Sequence, residues 1–238
     1  MPWGRRLSFT GRLPGDGFRG ELVFSRGDMT TLAGRSAARS TPTAVLNMAN
    51  ASTPGGGFLG GSRAQEEQLC HRSELYPRLM VACSRGAYPL DNGAALLTPC
   101  VTLRLADGAA RFAPLAQPAQ LAVVTAAARR CKNESAAHRN EALAHELEAT
   151  WRGVLEAARA SGAHHLVVSA IGSGAYSNPP EVVAAALVDA LRKCVPGAAL
   201  RRVTARGVLD DHNSRDNVAR LPRAVMVQAG AREDAEEL

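Results

Sequence analysis

Residues 47–67 read NMANASTPGGGFLGGSRAQEE, and this stretch indicates the fold more clearly than any other part of the sequence. It leaves an apolar segment at 44–48, passes through five glycines and enters a segment with a helical pattern at 63–75. Glycines lack a Cβ atom and adopt positive φ, so consecutive backbone N–H groups can point into one concavity. A helix start adds unpaired N–H donors and a positive dipole. The stretch is therefore typical of a loop that lets an anion such as a diphosphate approach the backbone.

A second glycine loop follows later in the chain, where residues 171–176 read IGSGAY. It follows an apolar segment at 165–170 and precedes a predicted helix that opens at Asn178 and runs to about Cys194. Asn178 is suited to be the N-cap of this helix, and the two prolines after it fit a first helical turn. In open α/β sheets, ligands bind beyond the carboxyl ends of the strands. We therefore expect the two loops to face each other across one cleft and to hold a diphosphate from both sides.

The rest of the pattern alternates strands with helices, which indicates a mainly parallel sheet with helices on both faces. Strands are predicted at 21–24, 44–48, 101–105, 121–126, 165–170 and 202–209. Helices are predicted at 63–75, stopped by Pro77, at 134–160 and at 178–194. The expected architecture is α/β, with a mixed, mainly parallel central sheet between two helical layers. We divide the chain into a basic, glycine-rich arm at 1–20, one folded domain at 21–227 and a charged tail at 228–238.

Composition narrows the possible functions. The net charge is +6, and because only Lys132 and Lys193 are lysines, 26 of the 28 basic residues are arginine. Arginine suits phosphate contacts, but here the arginines are scattered and aromatic residues make up only 4% of the chain. Proteins that bind single-stranded nucleic acid combine a basic groove with aromatic platforms. The composition therefore argues against a nucleic-acid-binding protein.

The cysteines and the hydropathy pattern indicate the environment. Five cysteines are scattered without a CxxC pair, which argues against a disulfide framework or a zinc site. The sequence has no run of apolar residues like that of a signal peptide or a membrane-spanning helix. We expect a soluble intracellular protein, cytoplasmic or, in a eukaryote, also nuclear. We expect no membrane partner, no metal and no cofactor.

The glycine stretch carries a resemblance to a known family. Three glycines, Gly55-Gly56-Gly57, then seven residues, then Gln65-Glu66-Glu67 form a spacing that resembles the signature of poly(ADP-ribose) glycohydrolases. The flanking residues 47–50 and 69–76, NMAN and LCHRSELY, look like the microbial-type branch of that family. The second loop with Asn178-Pro179 resembles the family's second phosphate loop. The resemblance covers roughly residues 21–213 and implies a macrodomain-type fold.

The resemblance also implies a role for individual residues. Glu67 would be the catalytic general acid/base, Glu66 would hydrogen-bond ribose hydroxyls and orient the site, and Asn50 would contact the ribose that is cleaved. The two glycine loops would hold the diphosphate. The expected substrate-binding residues are Asn50, Gly55, Gly56, Gly57, Gln65, Gly172, Ser173, Gly174, Ala175, Tyr176, Asn178 and Arg206.

Three positions depart from the family pattern. The second loop of the family reads Gly-Cys-Gly-Ala-Phe, whereas this chain has Ser173 and Tyr176 at the Cys and Phe positions. Family members carry a Phe on the last strand that stacks near the nucleotide, and this chain places Arg206 there. Arginine can stack on an adenine or pair with a phosphate, and the alternative is an exposed side chain without a role. We include Arg206 in the expected site.

The chemistry requires a carboxyl group that exchanges a proton. Cleaving an O-glycosidic bond needs a proton for the leaving oxygen and then a base for water, and one carboxyl group can serve both steps. A helix N-terminus favours the ionised form of Glu66 and Glu67, whereas burial and like-charge repulsion raise their pKa values. The sequence leaves this balance open.

Three functions follow from the resemblance. The first is a glycosidase that acts as a monomer on poly(ADP-ribose) and releases ADP-ribose. The second is a mono(ADP-ribosyl) hydrolase acting on protein or nucleic acid. The third, from another class, is a macrodomain that binds ADP-ribose without cleaving it. The presence of both Glu66 and Glu67 argues against the third.

Overall fold

The structure is a computed structural model that describes residues 7–9, 17–129, 136–174, 176–194 and 199–207. Its centre is a seven-stranded sheet in the order β1-β2-β7-β6-β3-β5-β4. The strands are β1 (Leu7–Phe9), β2 (Glu21–Arg26), β3 (Thr43–Met48), β4 (Leu96–Leu105), β5 (Pro114–Ala126), β6 (His165–Val168) and β7 (Arg202–Gly207). The helices are α1 (Met29–Ala38), α2 (Gln65–Arg72), α3 (Leu75–Ser84), α4 (Ala136–Ala160) and α5 (Pro180–Lys193). Two 3-10 turns lie at Phe58–Gly60 and Gly108–Ala110.

The sheet is mixed and mainly parallel, as predicted. The five inner strands pair in parallel, while β1 and β4 join the two edges in antiparallel pairs. Successive residues of a strand point to opposite faces, and residues Thr43 to Asn47 of β3 are all buried. The sheet is therefore covered on both faces, which is typical of a parallel sheet between helical layers.

The strand order fixes where the two glycine loops lie. β3 and β6 are parallel neighbours, with Ala44 opposite Leu166 and Val45 opposite Val167. The carboxyl ends of parallel neighbours lie at the same edge of a sheet. The loop after Met48 and the loop after Val168 therefore leave the sheet side by side. That they face each other across one cleft stays a prediction.

The prediction of a single helix at 63–75 is wrong, because α2 ends and α3 begins within this region. α2 ends at Arg72, and Ser73 forms an isolated antiparallel bridge with Leu103 of β4. Pro77 does not stop a helix but lies in the first turn of α3. Its missing N–H costs nothing there, because the first-turn N–H groups have no partner inside the helix.

Two further elements differ from the prediction. The start of α5 is displaced, because Pro179 is its N-cap and the buried Asn178 makes no capping hydrogen bond. The arm at 1–20 contributes β1, which pairs with β2. The proposed division at residues 20 and 227 stays a prediction, and the charged tail lies outside the described residues. In the described part of the chain, no helix is long and apolar enough to cross a membrane.

A buried histidine joins α1 to the sheet on β6. His165 is 5% exposed, and its ring nitrogens lie 2.8 Å from Ser36 Oγ and 2.8 Å from Thr204 Oγ1. Its pKa is lowered to about 4, mainly by burial and also by the positive charge of Arg202, while Glu21 acts in the opposite direction. His165 is therefore neutral in the folded protein at neutral pH.

We expect His165 to make the protein less stable in mild acid. Its pKa is lower in the folded state than the ordinary 6.5, so its contribution is present above pH 6.5 and is lost as the pH falls towards 4. The free energy of unfolding should fall by up to about 1.4 kcal/mol per pH unit from this group. Urea denaturation of wild type and His165→Gln between pH 7 and pH 4 measures the difference. Identical pH dependence of the two proteins would contradict this expectation.

Candidate active site

The two glutamates of the signature lie in the first turn of α2. The N-cap residue of this helix is Ala64, which has an extended backbone and whose side chain makes no capping hydrogen bond. Glu66 is 3% exposed and Glu67 is 8% exposed, although most carboxylates of soluble proteins are exposed. Buried carboxylates need hydrogen-bond donors, and the loop at 50–57 supplies them.

Glu66 is hydrogen-bonded through both carboxylate oxygens. Oε2 accepts from the backbone N–H of Asn50 at 2.7 Å, and Oε1 accepts from the N–H of Gly55 at 3.1 Å and from Asn47 Nδ2 at 3.3 Å. Burial raises the pKa of Glu66 to about 7, the donors from Asn50, Asn47 and Gly55 lower it, and the charge of Glu67 raises it. The balance that the sequence left open is thus decided for Glu66 in favour of burial.

Glu67 has one oxygen that no group of the described chain engages. Its Oε1 accepts from the N–H of Gly57 at 2.8 Å, whereas its buried Oε2 has no hydrogen-bond partner there. A buried polar atom without a partner is costly and is expected at functional sites. Glu67 is therefore the member of the pair with a carboxylate oxygen that no group of the described chain satisfies.

The glycines allow the loop to lie directly on the two carboxylates. Gly55 and Gly56 have φ values of 74° and 58°, which side chains disfavour. A Cβ atom on Gly56 would lie 2.4 Å from Glu67 Oε1 and 2.9 Å from Glu66 Oε2. One on Gly55 would lie 2.6 Å from the ring of Tyr76. Only glycine fits at either position.

The loop amides differ from the expectation that they stand free for a diphosphate. The N–H of Gly55 binds Glu66, that of Gly57 binds Glu67, and that of Gly56 donates to Thr53 O at 2.9 Å. The N–H groups of Gly55 and Gly57 therefore position the glutamates, and that of Gly56 bonds within the loop. A contact between this loop and a diphosphate stays a prediction and does not use these N–H groups in the present conformation.

Replacing Gly56 by Ala should displace the carboxylates. We expect at least a tenfold loss of ADP-ribose affinity, since the added methyl group occupies the space of Glu67 Oε1. Isothermal titration calorimetry measures this loss. The control is Gly162→Ala, because Gly162 also has a positive φ of 74° but a Cβ there meets nothing within 4 Å. Equal affinities of the two variants would contradict the expectation.

Two residues predicted to bind substrate hold the loop and helix in place. Asn50 Oδ1 accepts from the N–H groups of Ser52 and Thr53 at 2.9 and 3.0 Å, which closes a turn directly after β3. Gln65 donates from Nε2 to Leu46 O at 2.9 Å and accepts at Oε1 from the N–H of Met48 at 2.8 Å. Gln65 therefore anchors α2 to β3.

Asn47 is a site residue to which the sequence analysis assigned no role. It is fully buried on β3, and its Nδ2 lies 3.3 Å from both Glu66 Oε1 and Thr125 Oγ1. The signal was present in the sequence, because an amide in an otherwise apolar buried strand needs a hydrogen-bonding reason to be there.

The second loop is closed on itself at the end of β6. The N–H of Asn178 donates to Gly172 O at 2.9 Å, and the N–H of Ser177 donates to Gly174 O at 3.0 Å. A Cβ on Gly172 would lie 2.1 Å from Asn178 Nδ2. Asn178 is 2% exposed, and neither polar atom of its side chain has a partner in the described chain. The side-chain amide thus packs against the backbone at Gly172 instead of capping α5.

The remaining predicted residues are placed as follows. Ser173 is buried, and Tyr176 is half-buried against the core. Ala175 lies outside the described residues. Arg206 lies near the carboxyl end of β7, opposite Ser25 of β2, and its side chain is outside the described part. β6 separates β7 from β3, so the backbone of Arg206 is about 10 Å from the strand that leads to the glutamates.

Cys70 has no place in the chemistry. It is buried beside Gly55, as expected for a core residue. Burial raises the pKa of its thiol to about 12, and the nearby charges of Glu66 and Glu67 act in the same direction. The thiol is therefore protonated at neutral pH and is not a nucleophile.

Comparison with known proteins identifies the relatives of this arrangement. Residues 23–95 match the family model of the microbial-type PARG, catalytic domain, and this range contains the first glycine loop and both glutamates. The resemblance to microbial-type poly(ADP-ribose) glycohydrolases (PARG) is confirmed. No curated protein matches the chain.

Solved PARG structures match most of the chain. One is PARG from Deinococcus radiodurans in complex with ADP-ribose, with 26% identity, a TM-score of 0.72 and coverage of 90% of this chain and 87% of that one. Another is PARG from Thermomonospora curvata bound to the inhibitor ADP-HPD, with 27% identity, a TM-score of 0.68 and coverage of 85% and 78%. The macrodomain-like α/β fold expected from the sequence is thereby confirmed.

Proposed function

We propose that this protein is a poly(ADP-ribose) glycohydrolase, which hydrolyses ribose–ribose O-glycosidic bonds and releases ADP-ribose. The observation that carries the proposal is the division of labour between the two glutamates. Glu66 is engaged at both oxygens, whereas Glu67 is held at Oε1 and keeps Oε2 for another molecule. This arrangement lies within the range that matches the PARG family model.

In the proposed reaction, Glu67 protonates the oxygen that leaves with the rest of the polymer. The ribose then carries positive charge as an oxocarbenium-like centre, and Glu67 removes a proton from the water that attacks it. The two steps return Glu67 to its starting state. The proposed reaction has no redox step. Both proton transfers are carried out by Glu67.

Glu66 has a positioning role in this proposal. Its hydrogen bonds to Asn50 and Gly55 fix both ends of the loop that contacts Glu67. Because its pKa lies near 7, Glu66 is only partly ionised at neutral pH.

The proposed product is ADP-ribose, and the proposed substrate is poly(ADP-ribose) attached to a macromolecule. Both PARG structures described above contain ADP-ribose or ADP-HPD. We propose that the protein acts as a monomer and without a cofactor.

The direct test is to incubate the purified protein with poly(ADP-ribose) and to quantify released ADP-ribose by chromatography. We expect ADP-ribose to accumulate in proportion to protein concentration. Absence of release would overturn the proposal. In that case, cleavage of mono-ADP-ribosylated protein or nucleic acid would identify a mono(ADP-ribosyl) hydrolase, and binding of ADP-ribose alone would identify a reader.

A further inference from the structure

Residues 58–63 form an arch that begins and ends at the glycine next to Glu67. Gly57 O accepts from the N–H of Gly60 at 2.9 Å and from the N–H of Ser62 at 3.1 Å, so the chain leaves Gly57 and returns to it. The N–H of the same glycine donates to Glu67 Oε1. The base of the arch is held by Phe58, whose ring centroid lies 4.8 Å from that of Tyr76. The arch is therefore anchored at Gly57, the residue whose N–H group binds Glu67.

The outer side of the arch presents one apolar side chain and one cation. Leu59 is 82% exposed, and Arg63 is also exposed. A Cβ atom added to Gly60 or Gly61 would meet nothing within 4 Å, so the backbone between them is bare. A single exposed leucine is ordinary on a protein surface. Leu59 is distinguished by its place two residues after Gly57, whose N–H group binds the proposed acid/base Glu67.

The reaction brings the leaving part of the substrate to this place. A general acid must lie about 2.6–3.2 Å from the oxygen it protonates. The portion of the polymer attached to that oxygen therefore begins beside Glu67 and must pass over its surroundings, which include Gly57 and the arch. In a ribose–ribose link, the leaving oxygen belongs to a ribose that also carries an adenine and, through its 5′ carbon, a diphosphate.

We propose that the arch binds this leaving-side ADP-ribose unit, with the adenine against Leu59 and the diphosphate paired with Arg63. An apolar side chain suits the face of a base, and the guanidinium fork suits phosphate oxygens. The proposal rests on the proposed glycohydrolase function. It makes Leu59 and Arg63 specificity-determining residues that favour the polymer over a single ADP-ribose unit on another acceptor.

The test compares two substrates that differ only on the leaving side. One is poly(ADP-ribose), and the other is ADP-ribose with a nitrophenyl group in place of the leaving unit. For Leu59→Ser and Arg63→Ser, the ratio of kcat/KM on the polymer to kcat/KM on the nitrophenyl substrate should fall about five- to tenfold. Met80→Ser on α3 and Arg85→Ser directly after α3 are matched controls, also exposed, and should leave this ratio unchanged.

Each other outcome overturns the inference in a recognisable way. If a variant loses activity equally on both substrates, the arch only supports the glycine loop. If the ratio stays at the wild-type value, the leaving unit does not contact the arch, although the proposed function stands. If the wild type cleaves neither substrate, the proposed function fails and the inference fails with it.

Discussion

Replacing Glu67 by Gln is expected to lower kcat for ADP-ribose release from poly(ADP-ribose) at least a hundredfold, because the amide cannot transfer a proton. The affinity for ADP-ribose should change little. Gln has nearly the same shape, and its amide oxygen still accepts from the N–H of Gly57, as Glu67 Oε1 does at 2.8 Å. Polymer hydrolysis under saturating substrate measures kcat, and calorimetry measures the affinity.

Glu66→Gln separates proton transfer from loop support. Both oxygens of Glu66 accept hydrogen bonds, so an amide NH2 group would face an N–H donor on one side. This variant should therefore lose ADP-ribose affinity as well as activity, whereas Glu67→Gln loses activity alone. If Glu67→Gln keeps more than about a tenth of wild-type kcat, Glu67 is not the acid/base.

Replacing Arg72 by Met is expected to lower the free energy of unfolding by about 3–5 kcal/mol, because it leaves a partly buried carboxylate without its counter-charge. Arg72 is 1% exposed, and its guanidinium binds Asp28 Oδ1 at 2.6 Å, Thr31 Oγ1 at 2.9 Å and Leu105 O at 3.2 Å. Although burial acts to raise the pKa of Asp28, Arg72 and hydrogen bonds from Thr31 hold it below its usual value. These contacts join the end of the active-site helix α2 to the start of α1 and to β4.

Urea denaturation measures this effect, and an exposed arginine provides the control. Arg78 lies 3.7 Å from Glu74 on the surface of α3, so Arg78→Met should change the stability by less than about 1 kcal/mol. Combining Arg72→Met with Asp28→Asn should recover part of the loss, since the uncompensated charge is then absent. A loss below about 1 kcal/mol for Arg72→Met would show that the network does not stabilise the fold.

The position of the site could be predicted from the sequence, because the decisive features are local. A buried strand, a glycine run and two glutamates at a helix start follow one another within residues 44–67, and each has its own physical signature. The same holds for the second loop and for the long helix at 136–160. Alternating strands and helices were enough to predict a mainly parallel sheet.

Other features could not be predicted because they depend on contacts between distant parts of the chain. The break between α2 and α3 is set by the bridge from Ser73 to Leu103 on another strand. α1 is short and has an internal glycine, which lowers helix propensity, and the signal for its start is the capping residue Asp28. The glycine N–H groups suggested a bare anion site, but the side chains of Glu66 and Glu67, ten or more residues later, occupy them.

Glu66 and Glu67 hold the glycine loop by hydrogen bonds, in addition to the catalytic roles proposed for them. The N–H groups of Asn50, Gly55 and Gly57 donate to the carboxylates of the two glutamates and not to backbone carbonyl groups. Loss of both glutamates would therefore leave three backbone donors without their partners. If the proposed hydrolysis were lost in this way, a protein that still bound ADP-ribose would need new acceptors for the loop.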